Sequence, residues 1–459
     1  YDEAQILKKM PKTSKTQLAN LKVHLYGQVL SSLRLSNLKD DIDIDLREQL
    51  DFIRILYKKG LYGQSLRLLN RAKKITGDYR KDLFELALLD YEKQIRSQQV
   101  FDLAENQADE IDAATEAALT RFMNVQRFFT LATKLKARFV EHGMIKSEQE
   151  LNNLKALFYT RTTHYDEEEL AFNEKFYLYR AYYWFSYLTY DFQKCFEYAE
   201  KWINLFHENA LQHKRKAGYL KGLNRLLQSA FRIDDREKFD KYYELLLQFD
   251  RESSEVKVGN TQFLLTKYRT IQHFNYCFLH ANFSEAAKQI DETMAALEEQ
   301  KKFMDKHNQM VIYYKAAVFY FAAQNYDRAR GYLKKVIEDR GALRRDLKGY
   351  ARLIQIIIDF ETGEAEHFER QVKATEQYIN GEENMGEIQK LFIAFMSESG
   401  RIYPQELPKA FQQLKKDLDN ISKDGFENKT LLYFDLMSWV EAQIQGTTFA
   451  AIIEQKMAG

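Results

Sequence analysis

The chain has 459 residues, and its 68 Lys+Arg against 67 Asp+Glu leave a net charge of +1, so no overall basic field exists to draw in nucleic acid, which is not an expected partner. A mean hydropathy of -0.53, with no apolar run of the ~18 residues needed to cross a bilayer, excludes a membrane span, and two cysteines, Cys195 and Cys277, cannot build a disulfide framework. The 45% of apolar residues suffices for a core, and only three prolines, at 11, 404 and 408, interrupt the chain where ordinary usage places roughly twenty, which predicts long helices.

The chain opens at Tyr1 rather than at methionine, so any leader lies upstream of it, and a cytoplasmic location is the expectation. Asp41, Asp43 and Asp45 have the alternate spacing that opens a calcium loop. An EF-hand beginning at Asp41 needs Gly at 46 and Glu at 52, whereas Leu46 and Phe52 stand there, so these acids read as the N-terminal end of a helix that begins near 44. Leu46, Leu50, Ile53, Leu56 and Tyr57 then recur at steps of three and four on one face. Gly60, Gly63 and Gly77-Asp78 mark breaks. The acidic, Ala-rich stretch from Asp102 to Glu116 opens one long or kinked helix ending at Gly143, and a second helix follows near 147–160. A boundary near 165 divides the chain into 1–164, divergent helical hairpins with one repeat near 46–76, and 165–459, a more regular array. Further breaks fall at Asp234-Asp235, Gly363 and Gly381. After Pro404 and Pro408 the helices from Leu431 to Ala442 and from Phe449 to Met457 read as caps on an array whose last apolar face would otherwise meet water. No alternating strand is found. The expected class is all-α, either a bundle or a superhelix of hairpins.

A four-position spacing distinguishes these. A pattern of a small residue, an aromatic three later, a small residue nine further on and a large one four beyond that is best matched by Ala317, Tyr320, Ala329 and Leu333; Ile53, Leu56, Ser65 and Leu69, then Phe274, Cys277, Ala286 and Ile290, and Tyr183, Ser186, Cys195 and Ala199, keep its spacing. Leu227, Ala230, Phe239 and Tyr243, and Ile356, Asp359, Phe368 and Val372, follow it with a Phe at a small position. On these residues the chain resembles the tetratricopeptide-repeat superfamily, most clearly from 170 to 380. The matched positions 195, 239, 286, 329 and 368 lie 39 to 47 residues apart against 34 in the standard repeat, so the hairpins are longer. Residues 346–379 are also similar to a segment of uncharacterised helical-repeat proteins of Bacteroidetes.

The resemblance implies an α-α superhelix whose first helices line a concave groove. Counted from the matched positions, the implied lining is Arg54, Tyr57, Arg180, Trp184, Tyr187, Lys221, Asn224, Gln228, Phe231, Tyr268, Asn275, Phe278, Tyr314 and Phe321. Aromatics offer rigid contact area, and Asn, Gln and Arg can hydrogen-bond a peptide main chain or an acidic terminus. A basic stripe, Arg340, Arg344, Lys348 and Arg352 with Arg345 beside it, has the spacing to present cations to a carboxylate or phosphate; His213, Lys214, Arg215, Lys216, Lys221 and Arg225 form a second basic cluster.

Other chemistry is not signalled. His273, Cys277 and His280 share a helical face, but the fourth metal ligand is missing and Cys277 falls on a packing position. The chain lacks GxxxxGK[ST], GxGxxG and GxSxG. No cofactor, no metal and no catalysis are expected. The expected function is a non-enzymatic scaffold that binds a protein or peptide in its groove. Two other expectations keep the fold: a peptide-responsive signalling regulator, and a surface glycan-binding lipoprotein, although the long Pro-, Gly- and Trp-rich loops of such lipoproteins are not present.

Overall fold

The computed structural model describes residues 3–38, 41–98, 105–145, 147–253, 260–284, 286–299, 304–339, 341, 344–380, 387–422 and 434–458. It is an all-α protein of stacked helices, with no strand among the described residues. The described helices are α1 (Glu3–Lys9), α2 (Lys15–Asn37), α3 (Ile42–Lys58), α4 (Tyr62–Tyr79), α5 (Asp82–Arg96), α6 (Glu105–His142), α7 (Glu148–Thr162), α8 (Phe172–Leu188), α9 (Phe192–Glu208), α10 (Lys216–Arg232) and α11 (Arg236–Glu252). They continue as α12 (Asn260–Leu279), α13 (Ala287–Glu299), α14 (Lys306–Ala322), α15 (Tyr326–Ile337), α16 (Arg345–Thr362), α17 (Ala365–Asn380), α18 (Glu387–Ser399), α19 (Leu407–Ser422), α20 (Leu436–Gln445) and α21 (Phe449–Ala458). No helix among the described residues is long and apolar enough to cross a membrane.

Two compact units result, Tyr1–Asn124 and Val125–Gly459. The boundary drawn from sequence at 164/165 falls inside the second, because Leu131, Leu135, Leu154 and Phe158 share one apolar cluster with Phe172, Phe176 and Trp202. In the first unit, α3, α4 and α5 pack around Leu46, Ile53, Leu69, Ala72, Leu88 and Ile95. The acids at the start of α3 act as expected of helix-end groups: Asp41 accepts from the Asp43 N–H at 2.9 Å.

One turn recurs along the chain and follows the repeat spacing. After the first helix of six hairpins, a single residue takes a left-handed φ: Gly60 (72°), Tyr190 (62°), Asp234 (55°), Ala281 (47°), Gln324 (56°) and Gly363 (72°). The N–H of the next residue then reaches back to the last turn: Leu61 to the Leu56 carbonyl, Asp191 to Ser186, Asp235 to Ala230, Asn282 to Cys277, Asn325 to Tyr320 and Glu364 to Asp359. This is the bond of a Schellman cap, which satisfies a carbonyl that the helix end leaves open. The six accepting residues are the second positions of the six repeat copies. Three turns then start the next helix with the side chain of the same residue, Asp191, Asp235 and Asn325 accepting from the N–H of Lys194, Lys238 and Arg328.

The repeat positions are buried, except Leu56 and Tyr243, which are half-buried. At the third position a small polar group also closes the hairpin. Ser65 Oγ donates to the Ile53 carbonyl at 3.0 Å, and Cys195 Sγ to that of Tyr183 at 3.6 Å. Among the described residues, α10, α12, α14 and α16 each pack on the next of this series, whereas α11, α13 and α15 meet mainly helices adjacent to them in sequence.

Candidate binding surface

The residues expected to line a groove divide by unit. In the first, Arg54 is exposed and donates to Tyr91 Oη at 3.5 Å, and the Tyr57 ring lies 5.8 Å from that of Tyr62. In the second, Trp184, Tyr187, Asn224, Tyr268, Asn275, Tyr314 and Phe321 are buried, while Arg180, Gln228, Phe231 and Phe278 are partly exposed and Lys221 is exposed. Most aromatic members therefore serve as packed floor, because helices this long bury rings that face their neighbours.

Above that floor stand cations. The Arg225 guanidinium lies 4.6 Å from the Trp184 ring centre and donates to Gln228 Oε1 at 2.8 Å. Arg180 lies 5.1 Å from the Tyr177 ring centre and 5.8 Å from that of Phe129. Lys267 covers Tyr268 at 4.7 Å and Phe263 at 5.4 Å. Beside them runs a ladder of buried amides. Asn275 Nδ2 donates to Gln272 Oε1 at 2.8 Å, and Gln272 Nε2 to Asn224 Oδ1 at 2.8 Å. At the end of the ladder, Lys315 donates to Asn275 Oδ1 at 2.6 Å and lies 5.3 Å from the Phe231 ring centre.

Electrostatics tie these groups to one space. Burial, opposed by Asp305 and assisted by the cations Arg225, Lys221 and Lys136, brings the Lys267 ammonium down to about 8. Lys136 and Lys221, exposed as whole residues, are lowered first by desolvation of their ammonium groups, Lys136 then by Arg225, Arg180 and Lys221 and Lys221 by Arg180. Burial, then Arg344, bring the His307 imidazole down to about 4, so it is neutral near pH 7, with Asp305 and Asp346 acting the other way. Lys315 falls to about 7 through burial and the Arg232 charge. Like charges from α6, α8, α10 and α12 thus disfavour one another's protonation across a shared surface. Among the described residues, Lys136, Arg180, Lys221, Arg225, Lys267 and Lys315 have no carboxylate within ion-pair distance.

Sequence reasoning missed Lys136, Lys267, Gln272 and Lys315. For Lys315 a signal existed, a lone lysine in the apolar run from Val311 to Ala323. For the others none did, since their helices carry many polar residues and only packing selects which of them meet.

The basic stripe is not brought together as a row. Arg340 lies outside the described residues. Arg344 binds the Asp346 carboxylate through Nε at 2.9 Å and Nη2 at 2.8 Å, and Lys348, 8% exposed, donates to the carbonyls of Asp339 at 2.5 Å and Gly341 at 2.6 Å. Arg345 is exposed, and Arg352 covers the Tyr378 ring at 4.8 Å. Arg344, Lys348 and Arg352 are thus used by their own neighbourhood, because the loop before α16 presents carbonyls and the helix start an acid that need partners. The second basic cluster also splits. His213 stacks on Phe249, Arg215 donates to Asn173 Oδ1 at 2.6 Å, and only Lys221 and Arg225 join the surface.

His273, Cys277 and His280 likewise turn to separate partners: Tyr243 Oη at 3.1 Å from His273 Nδ1, the apolar core, and Asp240 Oδ1 at 2.8 Å from His280 Nε2. A different trio, Asp359, Glu364 and His367, holds its ligand atoms within 4.8 Å of one another. Arg330 already meets both carboxylates there, at 2.9 Å from Asp359 and 2.7 Å from Glu364, so a guanidinium supplies the positive charge. Comparison of the chain with family models, with curated proteins and with solved structures finds no match.

Proposed function

We propose that this chain is a tetratricopeptide-like helical-repeat scaffold without catalytic activity, and that it holds a protein or peptide segment against the first helices of its second unit. The observation that carries this reading is the convergence of Arg180, Lys221, Arg225 and Lys267, from α8, α10 and α12, over a floor of packed rings. The repeated turn supports the repeat architecture, since six hairpins share one cap and one register. Closer packing among first helices than among second helices supports a curvature with the first helices on its inner side. Rigid rings and fixed amides preorganise such a surface, which lowers the cost of ordering on binding.

The test is affinity capture with the intact chain and with Lys221→Glu combined with Arg225→Glu. Partners recovered by the native chain and by a control reversal at exposed Lys74, but lost from the double variant, are the expected result. Equal recovery by all three places the interaction elsewhere.

A further inference from the structure

We propose that the segment held on this surface is acidic, a peptide that sets Asp or Glu carboxylates against Lys136, Arg180, Lys221, Arg225 and Lys267. The inference deepens the reading above and rests on it.

Elsewhere several cations meet a carboxylate across neighbouring helices. Arg138 meets Glu150 at 2.7 Å, Lys201 meets Glu167 at 2.9 Å, Arg269 meets Asp250 at 2.5 Å and Lys415 meets Glu441 at 2.7 Å. What sets this surface apart is that five cations share it, Lys267 among them buried, and none of the five meets a carboxylate among the described residues. Lys267 makes the case strongest. It is only 7% exposed, rests on two ring faces and has no hydrogen-bond acceptor among the described residues. A lysine so placed costs stability in the free protein, and a carboxylate delivered by a ligand offsets that cost. The acids nearby are already engaged: Asp305 accepts from the Asn308 backbone and side chain, and Asp346 holds Arg344.

Nucleic acid fits less well. Recognition of single strands needs open ring faces for stacking, and the faces of Trp184, Tyr177 and Tyr268 are covered by Arg225, Arg180 and Lys267. Carboxylates on an extended main chain match cations distributed over four helices, as a single small anion does not.

The test pans random peptides displayed on phage against the intact chain, then measures the enriched peptides by fluorescence anisotropy. Expected are peptides of net negative charge whose affinity falls about tenfold or more when Asp and Glu become Asn and Gln, and which weaken as salt rises. Lys221→Gln with Arg225→Gln abolishes that preference, while Lys267→Met alone raises the Tm of the free chain, since it removes a buried ammonium that no carboxylate meets, which loss of a merely structural lysine does not do. Neutral peptides that enrich and still depend on Lys221 and Arg225 overturn the acidic assignment and leave the binding surface standing. If no peptide enriches, both fall. Tighter binding of a single-stranded oligonucleotide, or equal thermal stabilisation by inorganic phosphate alone, also overturns the proposal.

Discussion

At the scale of single residues, the recurring turn shows where this chain tolerates strain. Gly60 and Gly363 occupy the left-handed position without a Cβ penalty, but Tyr190, Asp234, Ala281 and Gln324 occupy the same position in their hairpins. Ala281→Gly and Gln324→Gly should each stabilise the chain by about 1 kcal/mol, read as a rise in the urea midpoint with unchanged slope. A fall in midpoint means that the turn is not held as described. Gly222 shows the opposite constraint. A Cβ there meets Trp202 Cε2 and Nε1 at 2.9 Å and Ile203 Cδ1 at 3.0 Å, so α10 lies close on α9 only because the side chain is missing. Gly222→Val should cost about 2 kcal/mol by overpacking, despite losing a flexible glycine from a helix. An unchanged midpoint for that variant would contradict the close crossing.

At the scale of helices, α14 illustrates a conflict between burial and charge. Its apolar sequence packs against α12 and α16, and Lys315 sits in its middle, held by Asn275 and facing the Arg232 charge. With the folded ammonium lowered to about 7 and the unfolded one near the ordinary ~10.4, the unfolded chain binds a proton that the folded chain releases between those values. Stability therefore rises as pH climbs from about 7 towards 10, and the full cost of the buried charge is present below pH 7. Lys267, lowered to about 8, adds the same sign. Lys315→Met should raise stability at pH 6 by about 2 kcal/mol and flatten the slope between pH 7 and 10, as followed by urea unfolding across pH. Above pH 10 the buried tyrosines Tyr183 and Tyr219, whose hydroxyls burial raises, reverse the trend. A native stability that falls steadily from pH 7 to 9 would be incompatible with both lysines as placed.

At the scale of the whole molecule, legibility differed between architecture and site. Helices, most of their breaks and the register of six hairpins could be read because each depends on neighbours within one turn or one hairpin, although Gly63 and Gly77-Asp78 lie inside α4 and Gly381 lies outside the described residues. The long helix through the acidic segment was legible too, Glu105–His142 followed by Glu148–Thr162. The proposed site was legible only in part. Counting from packing positions picks out Arg180, Lys221, Asn224, Gln228 and Asn275, which belong to the proposed surface, yet it cannot tell floor from surface, and Trp184 and Tyr314 are buried. The stripe from Arg344 to Arg352 has the right period, but an ion pair, loop carbonyls and a ring face claim its members.

What the sequence by itself determined was the all-helical class and the register of its hairpins, since helix periodicity and capping are short-range forces written in adjacent residues. What only the tertiary structure decided was which charges meet. Lys136, Arg225 and Lys267 are far apart along the chain and share no pattern, and only the stacking of separate hairpins brings them within electrostatic reach while leaving them without carboxylate partners among the described residues.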